Sequence, residues 1–389
     1  SVECTHRARL ENTRQARGAV GAVTPLAGRE LTRRQGSPEH GLFRHRGAML
    51  SPLLAVLLPL ALQLAHTTPS TRFAADHRTR ALVTLRGGEL TSAEETAKQQ
   101  WLAGVRGSVV PTAGGPVIEW YPGHPKAVLV PPGRCVFGEE WAPAPLLSRE
   151  WIGHDTALLT FGLKDGKKPL GLSTCACLLA RGAPLHAGGD AVVRPYTPVS
   201  TNAMLGAFQL VVKVYPGGAM SEQLARVPIG ATVDFKHIQF NVKLQYPFRA
   251  RHIVMLCGGT GIAPMLQALH ALLGTPHDGS YITLLYSSKT EDDIIAKGTL
   301  AAWEAMHHHR FRVQNTLTRE PEGTGWFGRR GRIDATLLRE YLPPPSEDVL
   351  IFVCGPPAMY DSLSGPRGEE GLSGLLAEMG YHPRQVVKF

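Results

Sequence analysis

The stretch HIVMLCGGTGIAPM, residues 252–265, is apolar from Ile253 to Cys257, turns on Gly258, Gly259 and Gly261, and resumes as an apolar pattern through Leu273. A short apolar run ending in glycine reads as a strand buried on both faces. The residues after it, Ala263 to Leu273, read as a helix with Pro264 in its first turn, where a missing amide hydrogen costs no hydrogen bond. The glycine turn then aims the helix N-terminus at a diphosphate. The spacing is neither G-x-G-x-x-G nor G-x-x-x-x-G-K-[ST], so neither the common dinucleotide fingerprint nor a nucleoside-triphosphate loop applies.

The same rhythm continues downstream. YITLLYSS (281–288), FRVQNTLT (311–318) and DVLIFVCG (348–355) read as strands, and Gly298 to His308 as a helix. Alternating strand and helix predicts a doubly wound parallel sheet over residues 251–389. Upstream the pattern differs. Thr156 to Phe161, Ala191 to Val193, Gln209 to Tyr215 and Gly230 to Phe235 are short strands separated by Gly and Pro, with one short helix among them. That arrangement predicts a small antiparallel barrel over 141–250. The fold class expected is therefore all-β plus α/β.

The first 140 residues follow no such plan. Residues 1–48 read as a disordered or targeting extension, Arg-rich like an organellar transit peptide, with translated upstream sequence as the competing reading. Residues 49–65, MLSPLLAVLLPLALQLA, carry no charge and follow Arg44, His45 and Arg46, so they read as a membrane anchor or a cleaved signal, with a buried core helix as the alternative. Residues 66–140 are a linker and an unassigned segment, in which Ser92 and Glu95 suggest a capped helix. The 389 residues carry a net charge of +9, but Ser1 to Arg80 alone holds 12 Lys+Arg against 5 Asp+Glu. The basic excess lies off the folded domains, which argues against a nucleic-acid partner. Six scattered cysteines give no zinc or disulfide framework, and His307 to His309 read as solvated surface, so no metal is expected.

Three further motifs carry chemistry. Arg194-Pro195-Tyr196-Thr197-Pro198-Val199-Ser200 places a guanidinium, an aromatic ring and a hydroxyl on a Pro-stiffened strand, which suits the diphosphate, ring system and ring nitrogen of a flavin nucleotide. Taken alone, ordinary edge-strand packing competes with that reading. Gly217-Gly218-Ala219-Met220-Ser221 opens a helix and permits a close backbone approach by an anion. Cys354-Gly355-Pro356-Pro357-Ala358-Met359 follows a strand at the end where parallel sheets bind ligands.

Taken in order, RPYTPVS, GGAMS, CGGTGIAPM and CGPPAM resemble the ferredoxin reductase superfamily and, within it, the NADH-cytochrome b5 reductase family, over about Trp141 to Phe389. The resemblance implies an FAD-dependent oxidoreductase that takes hydride from NADH and passes single electrons to a haem protein such as cytochrome b5. It assigns Arg194, Pro195, Tyr196, Thr197, Val212, Lys213, Gly218, Met220 and Ser221 to FAD. It assigns Gly259, Thr260, Gly261, Pro264, Asp293, Cys354, Gly355, Pro356 and Met359 to NADH. Thr197, near flavin N5, and Cys354, beside the nicotinamide, take the catalytic roles. Asp293 accepts the adenine-ribose hydroxyls and repels a 2′-phosphate, and Lys213 helps hold the cofactors.

Three departures from the family pattern stand out. Ala263 replaces a common hydroxyl, GLSTCACLL (171–179) replaces a segment with Gly, Gln and His, and Lys289 could attract a 2′-phosphate. They keep open an NADPH-using reductase and a catalytically weakened subunit of a membrane assembly. The N-terminal segment implies membrane association, at the endoplasmic reticulum or the mitochondrion.

Overall fold

A computed structural model describes residues 124–389, and the expectations for residues 1–48, 49–65 and Ser92 to Glu95 lie outside the described residues. Twelve strands are described, in two six-stranded sheets.

The first sheet comprises β1 (Ala142–Trp151), β2 (Thr156–Gly162), β3 (Leu178–Gly182), β4 (Val192–Tyr196), β5 (Ala207–Lys213) and β6 (Thr232–Lys236), in the order β4-β3-β6-β1-β2-β5, all antiparallel. β1 bends it. Ala142 to Pro145 pair with β6, and after an irregularity between Leu146 and Ser148 the strand pairs with β2. Such a bulge sharpens twist and curls a sheet on itself. The expected barrel is therefore an open one, whose end strands β4 and β5 are joined through the segment after β4: Val199 N donates to Gln209 O at 2.9 Å, and Gln209 N donates to Ser200 Oγ at 2.9 Å.

Four aromatic rings fill the curl. Phe161 and Phe208 each meet Phe235 edge to face, at 4.9 and 5.1 Å between ring centres, an arrangement aromatic quadrupoles favour. Phe137 meets Phe208 at 5.7 Å and is itself buried. The packed barrel thus starts upstream of the expected boundary at residue 141, and Val136 N donating to Leu170 O ties that lead segment to it.

The second sheet comprises β7 (His252–Gly258), β8 (Tyr281–Ser288), β9 (Phe311–Leu317), β10 (Arg329–Arg330), β11 (Val349–Cys354) and β12 (Val386–Lys388), all parallel, in the order β10-β9-β8-β7-β11-β12. The chain builds outward from β7 to β10, then crosses to the other side for β11. The reversal between β7 and β11 leaves a crevice at their carboxyl ends, the place where open α/β sheets bind ligands.

The helix Ile262–Leu273 leaves that crevice and is buried at every position except Gln267. A helix apolar all round is buried all round; its apolar neighbours include both sheet residues such as Met255 and barrel residues such as Leu158 and Val211. His270 belongs to this helix. Its Nδ1 accepts from Lys126 N at 3.1 Å and its ring meets Trp303 edge-on at 4.8 Å. Burial pushes its pKa down to about 4.

A histidine whose folded pKa lies below its unfolded value of about 6.5 is buried neutral, so the unfolded chain takes up the proton first and stability falls as pH drops from 6.5 towards 4. The loss should reach about 3 kcal/mol. Urea unfolding of wild-type protein and His270→Gln across that range checks it, and parallel pH profiles for the two would remove His270 as the cause.

Candidate functional site

The RPYT run forms the end of β4 and the residues after it. Arg194 is exposed and its Nη1 donates to Val193 O at 2.8 Å. Tyr196 is half-buried, and burial pushes its phenol up to about 12, so it stays protonated. Thr197 follows, half-exposed. At the far end of β5 the chain turns tightly: Gly218 N donates to Tyr215 O at 2.9 Å and Tyr215 N to Ser221 Oγ at 3.3 Å. A Cβ on Gly218 would stand 2.3 Å from Ser221 Oγ and 2.8 Å from the backbone oxygen of Tyr215, which cannot move aside, so a larger residue would force the turn open.

The CGGTG and CGPPAM motifs meet across the crevice. Cys257 and Cys354 are register partners on β7 and β11. A Cβ on Gly261 would lie 2.1 Å from Cys354 O, which only glycine allows. Gly258 is covered by Pro356 and the Met359 thioether, each 3.1 Å from where its Cβ would be, whereas Gly259, at φ 55°, faces open space. Burial pushes the Cys354 thiol up. A thiol held protonated is a packing group and a weak nucleophile.

The assigned residues that stand apart from this picture are informative. Val212 is buried in the barrel core, so its side chain supports the site and does not line it. Met220 packs in the same core. Pro264 is also buried, its carbonyl accepting from Cys175 Sγ at 3.3 Å.

Lys213 and Asp293 occupy one buried ionic cluster. The Lys213 ammonium lies 2.8 Å from Asp155 Oδ1 and 2.9 Å from Asp293 Oδ1, with the three side chains 8%, 2% and 5% exposed. Asp293 Oδ2 accepts from Thr290 N at 3.1 Å and from Thr290 Oγ1 at 2.9 Å, closing a capping box. His154 stands 3.4 Å from Asp155. Burial opposes the charge on Asp155, but the His154 hydrogen bond and the Lys213 ammonium hold it well below the usual carboxylate range. Asp293 is lowered likewise, against burial, by Lys213 and Thr290. Burial also opposes the charge on Lys213, and the two carboxylates outweigh it and raise its pKa. Because Lys213 ends β5 and Asp293 follows β8, the cluster clasps barrel to parallel sheet. His154, Asp155 and Asp293 bring ligating atoms within 4.8 Å of one another, but the Lys213 ammonium already supplies the cation there.

Sequence reasoning assigned the two ends of this clasp to cofactors and missed Asp155 and His154. Their adjacent positions before β2 carried no motif. It also missed Gln267, whose Nε2 donates to Pro198 O at 2.9 Å and Ser200 O at 2.6 Å.

The residues present fit both cofactors. An exposed guanidinium, a half-buried phenol and the Gly217–Ser221 turn suit FAD. The open Gly259 turn, backed by a 12-residue helix and closed on one side by Cys354, suits a dinucleotide.

Two family models match: the oxidoreductase FAD-binding domain over residues 143–243 and the oxidoreductase NAD-binding domain over residues 255–364. The NADH-cytochrome b5 reductase 2 of Aspergillus clavatus is 39% identical over 261 residues, 65% of this chain and 79% of that protein. That of Neurospora crassa is 38% identical over 257 residues, 64% of this chain and 73% of that protein. The cytochrome b5 reductase domain of Ulva prolifera nitrate reductase superposes with a TM-score of 0.56 at 28% identity, over 68% of this chain and all of that one. The CS-b5R domains of human Ncb5or, in the NAD+ form, give 0.53 at 25% identity, over 64% of this chain and 70% of that one.

Proposed function

The chain belongs to the NADH-cytochrome b5 reductase family, and from that premise we propose that it carries electrons from NADH to cytochrome b5 or a closely similar haem protein. The observation that carries the reading is the meeting of Gly261 with Cys354 at the sheet's reversal point, on a helix that also grips the segment after Thr197. When bound, FAD accepts two electrons together and releases them singly. The protein supplies the frame. Arg194 offers a bidentate donor to a diphosphate, Tyr196 offers a flat, protonated ring, and Thr197 a hydroxyl beside it. The Met359 thioether covers Gly258 and Gly355 on the crevice floor beside Cys354. Asp293 is turned inward to Lys213 and Thr290, so its charge is compensated within the protein.

Lys164, Lys167 and Lys168 are exposed after β2, with Lys168 3.6 Å from Asp165, and offer a basic edge to an acidic haem protein. Among the described residues no helix is long and apolar enough to cross a membrane. We assign membrane attachment, at the endoplasmic reticulum or the mitochondrion, to residues 49–65, whose apolar sequence supports it.

The test is anaerobic. Purified protein should be yellow, lose its flavin absorbance on adding NADH, and then reduce ferric cytochrome b5, with the second step slowing as salt rises. Ferricyanide reduction without cytochrome reduction would overturn the acceptor, and a colourless protein that takes up no FAD would overturn the oxidoreductase reading itself.

A further inference from the structure

We propose that Gln267 is a positioning residue for hydride transfer, acting as a ruler between the segment that presents Thr197 and the helix that opens at the nucleotide turn; this rests on the reductase reading above. Its place in the helix singles it out. Every other residue from Ile262 to Leu273 is buried, and Gln267 is half-buried, so any part of its amide turned from water costs free energy unless it is hydrogen-bonded.

The amide is satisfied across the domain boundary. Nε2 carries two hydrogens, and two carbonyls take them: Pro198 O at 2.9 Å and Ser200 O at 2.6 Å. Pro198 follows Thr197 directly. The same short segment is fixed from its other side by Gln209 of β5, through Val199 N to Gln209 O and Gln209 N to Ser200 Oγ, each 2.9 Å. Residues 198–200 are therefore held between a barrel strand and a helix of the parallel-sheet domain.

That helix begins immediately after Gly261. Gln267 lies six residues on, about 9 Å along the axis, in a rod whose start is set against Cys354 O by the Gly261 contact. One side chain thus links the two surfaces between which hydride must pass. Reacting atoms need an approach of about 3–3.5 Å, and a shift of about 1 Å is enough to cost a large factor in rate. Apolar packing of Leu158, Val199 and Val211 with the helix keeps the domains together without the amide, so its loss loosens the spacing and not the fold.

Gln267→Leu keeps the bulk and removes both donors. At saturating NADH, flavin reduction in stopped flow should slow at least roughly tenfold, with FAD content, melting temperature and the NADH concentration at half-saturation close to wild type. Independently of turnover, the long-wavelength charge-transfer absorbance of dithionite-reduced protein mixed with NAD+ should weaken, because it reports ring overlap. Wild-type absorbance together with a wild-type reduction rate would overturn the proposal, as would a rate loss that only follows lost FAD.

Gln267→Glu gives a second handle. Its carboxylate faces two carbonyls and repels them, whereas the protonated acid donates one hydrogen bond, so its reduction rate relative to wild type should rise as pH falls from 8 to 5. A constant ratio over that range would overturn the ruler role even if Gln267→Leu did not fold. A wild-type protein that NADH fails to reduce would instead indict the reductase reading.

Discussion

Lys213→Met is expected to destabilise the protein by about 3–5 kcal/mol, the cost of leaving buried carboxylates without their cation. Asp155 and Asp293 are almost wholly buried and both face the ammonium within 3 Å. The methionine fills the stem's volume but returns none of the charge. Because one carboxylate belongs to the barrel and the other to the parallel-sheet domain, the repulsion falls on the contact between them. For a protein of this size the melting temperature should drop by roughly 10 °C. Adding Asp155→Asn and Asp293→Asn to Lys213→Met should recover much of the loss, since the uncompensated charges are then gone. The pH dependence follows from the directions of the shifts. Both carboxylates sit below their usual range, so their contribution is present above about pH 4 and is lost as pH falls further; Lys213 is raised, so its contribution persists below about pH 10.5 and is lost only above it. Urea titration at pH 7 decides the matter. A loss under about 1 kcal/mol would mean the cluster is wet and its charges individually solvated.

What the sequence shows plainly is whatever is contiguous. Strand, glycine turn and helix follow one another at β7, and the RPYTPVS run occupies one strand end and its exit, so period and spacing expose them. β1 was hidden by its prolines. Pro143 and Pro145 argue against a central strand, yet residues 142–145 pair with β6 alone, and alternate residues point their amides to one side, so the missing donors face the edge that β2 does not reach until Leu146. β3 was hidden in GLSTCACLL, where Cys175 at φ 61° turns the chain just before Leu178. The ionic clasp was illegible for a different reason. Lys213 and Asp293 are 80 positions apart, and no local pattern marks a pair that only the docking of two domains creates. Gln267 is a single polar letter in an apolar helix, and its meaning depends on two carbonyls that no side-chain pattern records.

Arg194→Ala should weaken FAD binding by at least roughly 100-fold while leaving the unfolding midpoint of the FAD-stripped protein unchanged. Arg194 is exposed. The guanidinium stands at the surface of β4 and holds its neighbour Val193's carbonyl, a local bond whose loss the strand pairing to β3 absorbs. Nothing in the aromatic core reaches it. A diphosphate, by contrast, would meet a planar fork of charged donors, and two hydrogen bonds to a charged group at about 1.5 kcal/mol or more apiece make about 3 kcal/mol of binding, a factor of roughly 100 in the dissociation constant. Arg194→Lys should fall between, because an ammonium keeps the charge and loses the fork. The measurement is FAD content after dialysis and a titration of the stripped protein followed by flavin fluorescence. Unchanged affinity in Arg194→Ala would place the diphosphate elsewhere, with the Gly217–Ser221 turn as its holder, whereas loss of FAD accompanied by a lower unfolding midpoint of the FAD-stripped protein would mean that Arg194 supports the strand and the cofactor leaves as a consequence.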